Sequence, residues 1–129
     1  MLWTQFIAMK IRIKGDSIRF RLTQTEVKAL SEKGKVYDST NFGNQEFNYG
    51  ITLKKDIDNL NVSFKNNSIT LEMPYINGKS WYANDIITFD NILKTSKKND
   101  LYLLLEKDFT CLDNTIEEQS DNYPNPKLA

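Results

Sequence analysis

Residues 9–22 read MKIRIKGDSIRFRL, and the fold is decided by how this stretch is folded back on itself. Two runs of alternating apolar and basic residues flank Gly15-Asp16, and glycine at the first central position suits a two-residue type II′ hairpin turn. That turn sets the pairing: Ile13 faces Ile18, Ile11 faces Phe20, Arg12 faces Arg19 and Lys10 faces Arg21. Met9, Ile11, Ile13, Ile18, Phe20 and Leu22 then share one face, expected to be the core. Lys10, Arg12, Lys14, Arg19 and Arg21 share the other. Immediately after the hairpin, TQTEVKALSEK (23–33) carries a capping box, Thr23 with Glu26 three residues on, and Gly34 supplies a stop. A helix of about three turns follows, with Val27 and Leu30, joined by Ala29, on its narrow apolar stripe.

Further along, Val36–Asn41 reads as a strand and Gly43–Gln45 as a turn. Phe47, Tyr49, Ile51 and Leu53 alternate through a second strand with Gly50 as a candidate bulge. Asn59–Lys65 and Ser68–Met73 form a second hairpin across Asn66-Asn67, two residues that tolerate the positive φ of a type I′ turn, and Pro74 ends it. Residues 75–84 predict a short irregular helix that turns Trp81 inward. Ile86–Phe89 and Leu101–Phe109 read as strands, with LYLLL apolar enough to be central. Without regular β-α alternation, the fold class is α+β: a mostly antiparallel, strongly curved sheet with one clear helix after the first hairpin, closure into a barrel being left open. No internal repeat is visible.

The 129 residues suit one domain, expected to divide into an extension at 1–8, which either comes from an upstream start or packs Trp3, Phe6 and Ile7 onto the domain or extends the first strand, a core at 9–110 and an acidic, Pro-containing tail at 111–129 that lies on the domain or is loosely ordered. Absence of histidine excludes Ser-His-Asp and Cys-His catalysis and histidine-ligated metals; a single cysteine excludes disulfide scaffolds. No signal peptide and no span of about 20 apolar residues is present, so a cytoplasmic, non-membrane protein is expected. Seventeen basic residues balance seventeen acidic ones, but unevenly. Residues 1–35 hold eight Lys or Arg against three acids, and 36–129 hold nine against fourteen.

MKIRIKGDSIRFRLTQTEV (9–27) and LEKDFTCLD (105–113), the latter followed by DNYPNP (121–126), resemble the two end motifs of a family of small uncharacterised bacterial proteins. The resemblance spans Met9 to Pro126. It implies that the PNP segment is integral to the domain, and it brings no activity with it.

The basic hairpin face is the most unusual feature. Directly opposed like charges weaken a sheet, so Lys10, Arg12, Arg19 and Arg21 need counter-charges. Glu106 and Asp108 could supply them, joined by Asp113, Glu117, Glu118 and Asp121. Alternatively the four cations form an anion site for phosphate or carboxylate groups. A nucleic-acid surface is not expected, because Phe20, the hairpin's aromatic, faces inward and offers no stacking platform. Glu106, Asp108 and Asp113 could gather around Mg²⁺, but Lys107 and the nearby cations argue against it, and neither metal nor cofactor is expected. Cys111 reads as core filling without a base to activate it. Tyr123-Pro124-Asn125-Pro126 reads as an extended strap or a docking segment. Two functions follow: a small non-enzymatic binding or interaction module presenting the basic hairpin to an anionic small molecule or a protein, or an enzyme acting on a phosphate-bearing small molecule.

Overall fold

In the hairpin β1 (Lys10–Lys14) and β2 (Ser17–Leu22), only Gly15 of the two turn residues takes a positive φ, 54°. Arg12 pairs with Arg19 and Lys10 with Arg21, as the turn chemistry requires. A computed structural model describes residues 9–95, 99–109 and 121–124. α1 (Gln24–Lys33) follows, with both hydrogen bonds of the Thr23/Glu26 capping box formed and Gly34 left-handed at φ 82°. Then come β3 (Lys35–Asn41), β4 (Glu46–Lys54), β5 (Asn61–Lys65), β6 (Ser68–Pro74), α2 (Tyr75–Trp81), β7 (Thr88–Leu93) and β8 (Leu101–Lys107). Asn66 and Asn67 both adopt positive φ, 53° and 61°, in the β5–β6 turn.

Antiparallel pairing dominates, within an α+β arrangement, but the strands do not form one curved sheet. Among the described residues they divide into two four-stranded sheets, A in the order β1-β2-β8-β7 and B in the order β3-β4-β6-β5, and these close no barrel. Each sheet joins two antiparallel hairpins through a central parallel pair, β2 with β8 and β4 with β6. The helices cause this division. α1 carries the chain from sheet A to sheet B and α2 carries it back, so each sheet receives one hairpin from each half of the chain.

The two halves, β1-β2-α1-β3-β4 and β5-β6-α2-β7-β8, have the same order of elements. Matching the elements of one half to those of the other in order turns sheet A, β1-β2-β8-β7, into the order of sheet B, β5-β6-β4-β3. In the leading hairpins the correspondence holds one constant offset from end to end, taking Lys10 to Asn61 and Ser17 to Ser68. Ile11, Ile18, Phe20 and Leu22 correspond to Val62, Ile69, Leu71 and Met73. The repeat absent from the residue identities is thus present in the topology and the apolar pattern.

A single hydrophobic cluster draws on both sheets and both helices, including Phe20, Leu22, Val27, Leu30, Ile51, Leu71, Met73, Trp81, Leu103 and Leu105. Trp81 meets Phe89 edge-on at 5.3 Å and donates its indole N–H to the Ile86 carbonyl at 2.7 Å. Ser31 on α1 donates to the Gly78 carbonyl on α2 at 2.7 Å, and a Cβ on Gly78 would run into the Leu53 side chain. Gly50 is not a bulge. It pairs regularly with Tyr37 and Thr70, and glycine is needed there because the Tyr37 ring lies where a Cβ would stand.

Met9 and Leu60 occupy matching positions: each precedes the first strand of its half, and each is buried. Each is tied to the opposite sheet: Met9 N–H donates to Asp38 Oδ2 at 3.1 Å and its carbonyl accepts from Tyr49 Oη at 2.9 Å, while the Leu60 carbonyl accepts from Asn91 Nδ2 at 2.8 Å. On the inward face of the first hairpin, burial falls from this end toward the turn, where Ile18 still packs against the core in part. Its cross-strand partner Ile13 is 56% exposed and lies outside the core cluster.

Candidate functional site

The outer face of sheet A gathers the cations of β1 and β2 beside β8. Parallel register sets Arg19 level with Leu104 and Arg21 level with Glu106. Glu106 Oε1 lies 2.8 Å from Arg21 Nε and 3.7 Å from Arg19 Nε, so one carboxylate serves two guanidiniums. Lys10 Nζ stands 3.1 Å from Asp108 Oδ2, a buried oxygen with no other polar partner among the described residues. Arg12 is exposed and has no carboxylate partner among the described residues, although Arg19 is its direct cross-strand neighbour. Lys10, Ile11, Arg12, Arg19 and Arg21 line a shallow hollow of about 240 Å³. The face therefore holds five cations, with Lys14, against Glu106, Asp108 and Asp90, which lies across Leu104 on β7 and accepts from the Tyr102 hydroxyl at 3.3 Å, a local balance of +2 among the residues named.

The equivalent face of sheet B contrasts with it. The correspondence between the halves takes Lys10, Arg12, Arg19 and Arg21 to Asn61, Ser63, Thr70 and Glu72. Asn61 Nδ2 donates to Glu72 Oε1 at 2.9 Å and Lys54 Nζ lies 3.4 Å from Glu72 Oε2. Tyr37 crosses this face, its hydroxyl 3.0 Å from both Thr52 Oγ1 and Thr70 Oγ1. Opposed small polar residues replace opposed arginines, so the fold itself does not require the basic face.

Asp121 goes elsewhere. Its carbonyl accepts from Gln24 N–H at 3.0 Å, and its Oδ1 accepts from the N–H and hydroxyl of Thr25 at 3.3 and 2.9 Å. A carboxylate at the first turn of α1 is stabilised by the unpaired amides and the helix dipole. Tyr123 follows, its N–H bonded to the Asp108 carbonyl at 2.8 Å and its ring against Phe109. Cys111, Asp113, Glu117, Glu118 and the second proline of the PNP run lie outside the described residues. Among the described residues, no three acidic, His or Cys side chains gather to hold a metal, and no helix is long and apolar enough to cross a membrane.

Lys107 does not stand out in the sequence as a site residue, although its position alternates with inward Leu103 and Leu105 and so announces burial. Its ammonium donates to the Asn84 carbonyl at 2.7 Å and lies 5.0 Å from the Tyr123 ring centre and 5.7 Å from that of Trp81. Burial pushes its pKa down, partly offset by Asp85. The Tyr123 hydroxyl, buried without a hydrogen bond, is pushed up to about 12 by burial first and by Tyr82 and Asp121 next. This is a lysine held by aromatic faces and a carbonyl, a structural pin for the C-terminal segment.

The chain belongs to a family of unknown function (DUF7009), whose pattern it matches over residues 9–127. It is also similar to proteins named small heat shock protein C1: 35% identical over 83 residues to that of Rickettsia felis, covering 63% of this chain and 47% of the relative. With that of Rickettsia typhi it shares 41% over 59 residues, 44% and 36% of the two chains, and with that of Rickettsia conorii 38% over 84 residues, 64% and 48%. The chain thus spans about half the length, or less, of the curated relatives it matches. No solved structure matches it significantly.

Proposed function

We propose that this member of a family of unknown function is a non-enzymatic binding module whose outer sheet A face receives an anionic group of a protein partner. The observation that carries the reading is Arg12. It is opposed to Arg19, whose nearest carboxylate is already shared with Arg21, so an incoming anion would relieve a repulsion that the described residues leave standing. Bidentate guanidinium recognition suits a carboxylate or phosphoryl group. An enzymatic role has less to draw on. Glu106 and Asp108 are engaged by cations and so are not placed as free acid-base groups, and the hollow of about 240 Å³ falls below the ~300 Å³ at which small-molecule sites begin.

Fluorescence anisotropy with a labelled ten-residue oligo-glutamate peptide tests the reading. The protein should bind it, affinity should fall steeply as salt rises from 50 to 300 mM, and R12Q/R19Q should weaken it by about tenfold. Equal affinity of wild type and double variant would sink the proposal.

A further inference from the structure

The basic face ends at a sheet edge, and that edge has backbone groups to offer. Among the described strands β1 is the outermost of sheet A, bonded to β2 on one side. Tyr102 N–H donates to the Asp16 carbonyl and Asp108 N–H to the Leu22 carbonyl, so the even-numbered residues of β2 turn their backbone groups to β8. Ser17, Arg19 and Arg21 therefore bond to Lys14, Arg12 and Lys10, and the alternation of an antiparallel ladder leaves the N–H and C=O of Ile11 and Ile13 pointing out at the edge. Met9 continues the same parity, and there the edge is closed, because Asp38 and Tyr49 take its N–H and C=O. Past Met9, no described residue hydrogen-bonds the outward groups of Ile11 and Ile13.

Resting on the reading of the face given above, we propose that the β1 edge binds an extended segment of a protein partner in which acidic residues alternate with apolar ones, added to sheet A as a fifth strand. Such a strand lies ~4.8 Å from β1, and its side chains alternate between the same two faces. On the outer face its acids stand beside Arg12 and Lys14. On the other face its apolar residues cover Ile13, 56% exposed, and half-buried Ile11. A second copy of this chain is a poor occupant, since β1 against β1 sets like charges side by side. The corresponding edge at β5 carries Asn61, Ser63 and Lys65 in place of Lys10, Arg12 and Lys14, so charge selects β1.

The test uses the full chain and four labelled ten-residue peptides: alternating Glu and Val, the same residues in two blocks, and the alternating peptide N-methylated at all valine or at all glutamate nitrogens. The alternating peptide should bind about tenfold more tightly than the block peptide, and whichever methylation removes the ladder donors should weaken it about tenfold or more. Native-state hydrogen exchange at Ile11 and Ile13 should slow on binding. If all four peptides bind alike and those amides stay unprotected, the added strand is overturned while the anionic face stands. If none binds at low salt, and oligo-glutamate also fails, both readings fall together. Arg12→Gln and Lys14→Gln, both on exposed side chains that leave the fold intact, should each weaken the alternating peptide about threefold; unchanged affinity in both would overturn the pairing of acids with these two cations.

Discussion

Two faces built on one plan differ in what they do with charge. The outer face of sheet B is finished from within: Tyr37 lies over Gly50, its hydroxyl joins Thr52 and Thr70, and Glu72 is matched by Lys54 and Asn61. The outer face of sheet A has the same strand order and the same leading register, yet it sets Arg12 against Arg19 and lends one Glu106 to two guanidiniums. Because the same architecture folds with Ser63 and Thr70 at the matching positions, the arginines are not a requirement of the scaffold.

The largest way to break the sealed face is Gly50→Ala. A Cβ there meets the Tyr37 ring, and backbone pairing on both sides leaves no room to retreat. A loss of about 2–4 kcal/mol is expected in urea unfolding. Leu104, the matching position on sheet A, is half-buried under no such ring, and Leu104→Ala should cost clearly less.

The two helices, which are counterparts, give the next contrast. α1 begins with Glu26, whose carboxyl burial pushes up to about 7, with Asp38 and Asp121 adding and the Thr23 hydrogen bonds opposing; α2 begins after Pro74 with no side-chain cap. An acid with a raised folded pKa keeps its proton longer in the folded than in the unfolded chain, so its contribution to stability is full below about 4.5 and is lost as pH rises to about 7. Glu26→Gln, which preserves the capping acceptor, should therefore stabilise the protein at pH 8, by about 1–3 kcal/mol, and change little at pH 4. Thermal melts across that range measure it, and a pH-independent difference would refute the linkage.

Smaller effects probe the charges themselves. Glu106→Gln leaves Arg19 and Arg21 unbalanced and should cost about 1 kcal/mol, against a few tenths for Glu72→Gln on sheet B, both read from urea midpoints. Arg12→Gln should raise stability by a few tenths of a kcal/mol, by relieving the opposed pair, while weakening anionic peptides. A fall in stability would mean that Arg12 serves the fold after all.

Local chemistry is legible in the sequence. Gly15-Asp16 and Asn66-Asn67 set both hairpin registers, and Thr23 with Glu26 marks the start of α1, because each feature depends on residues a few positions apart. What stays hidden depends on distant partners. The apolar pattern of β2 or β8 fits more than one neighbouring strand, so nothing local joins β2 to β8 or says that the helices exchange hairpins between sheets. Gly50 suggests a bulge when glycine is read for its backbone freedom, whereas its role is to leave space for Tyr37. Lys107 is readable by parity with Leu103 and Leu105, but its aromatic partners, Trp81 and Tyr123, come from other segments. For the site, alternation places the four cations together, and only the structure shows how Glu106 and Asp108 divide between them.

The parallel pairs also set a timetable. β4 meets β6 across a short connection, from Asn48 to Ser68, whereas β2 waits for a partner near the far end of the chain, from Ser17 to Tyr102. Short-range closure is fast and long-range closure slow, so sheet B forms first during synthesis, and at about 5–20 residues per second the basic hairpin stands half-paired for several seconds or more. While β2 lacks β8, the like charges of Arg19 and Arg21 along its open edge disfavour pairing with the same edge of a second copy.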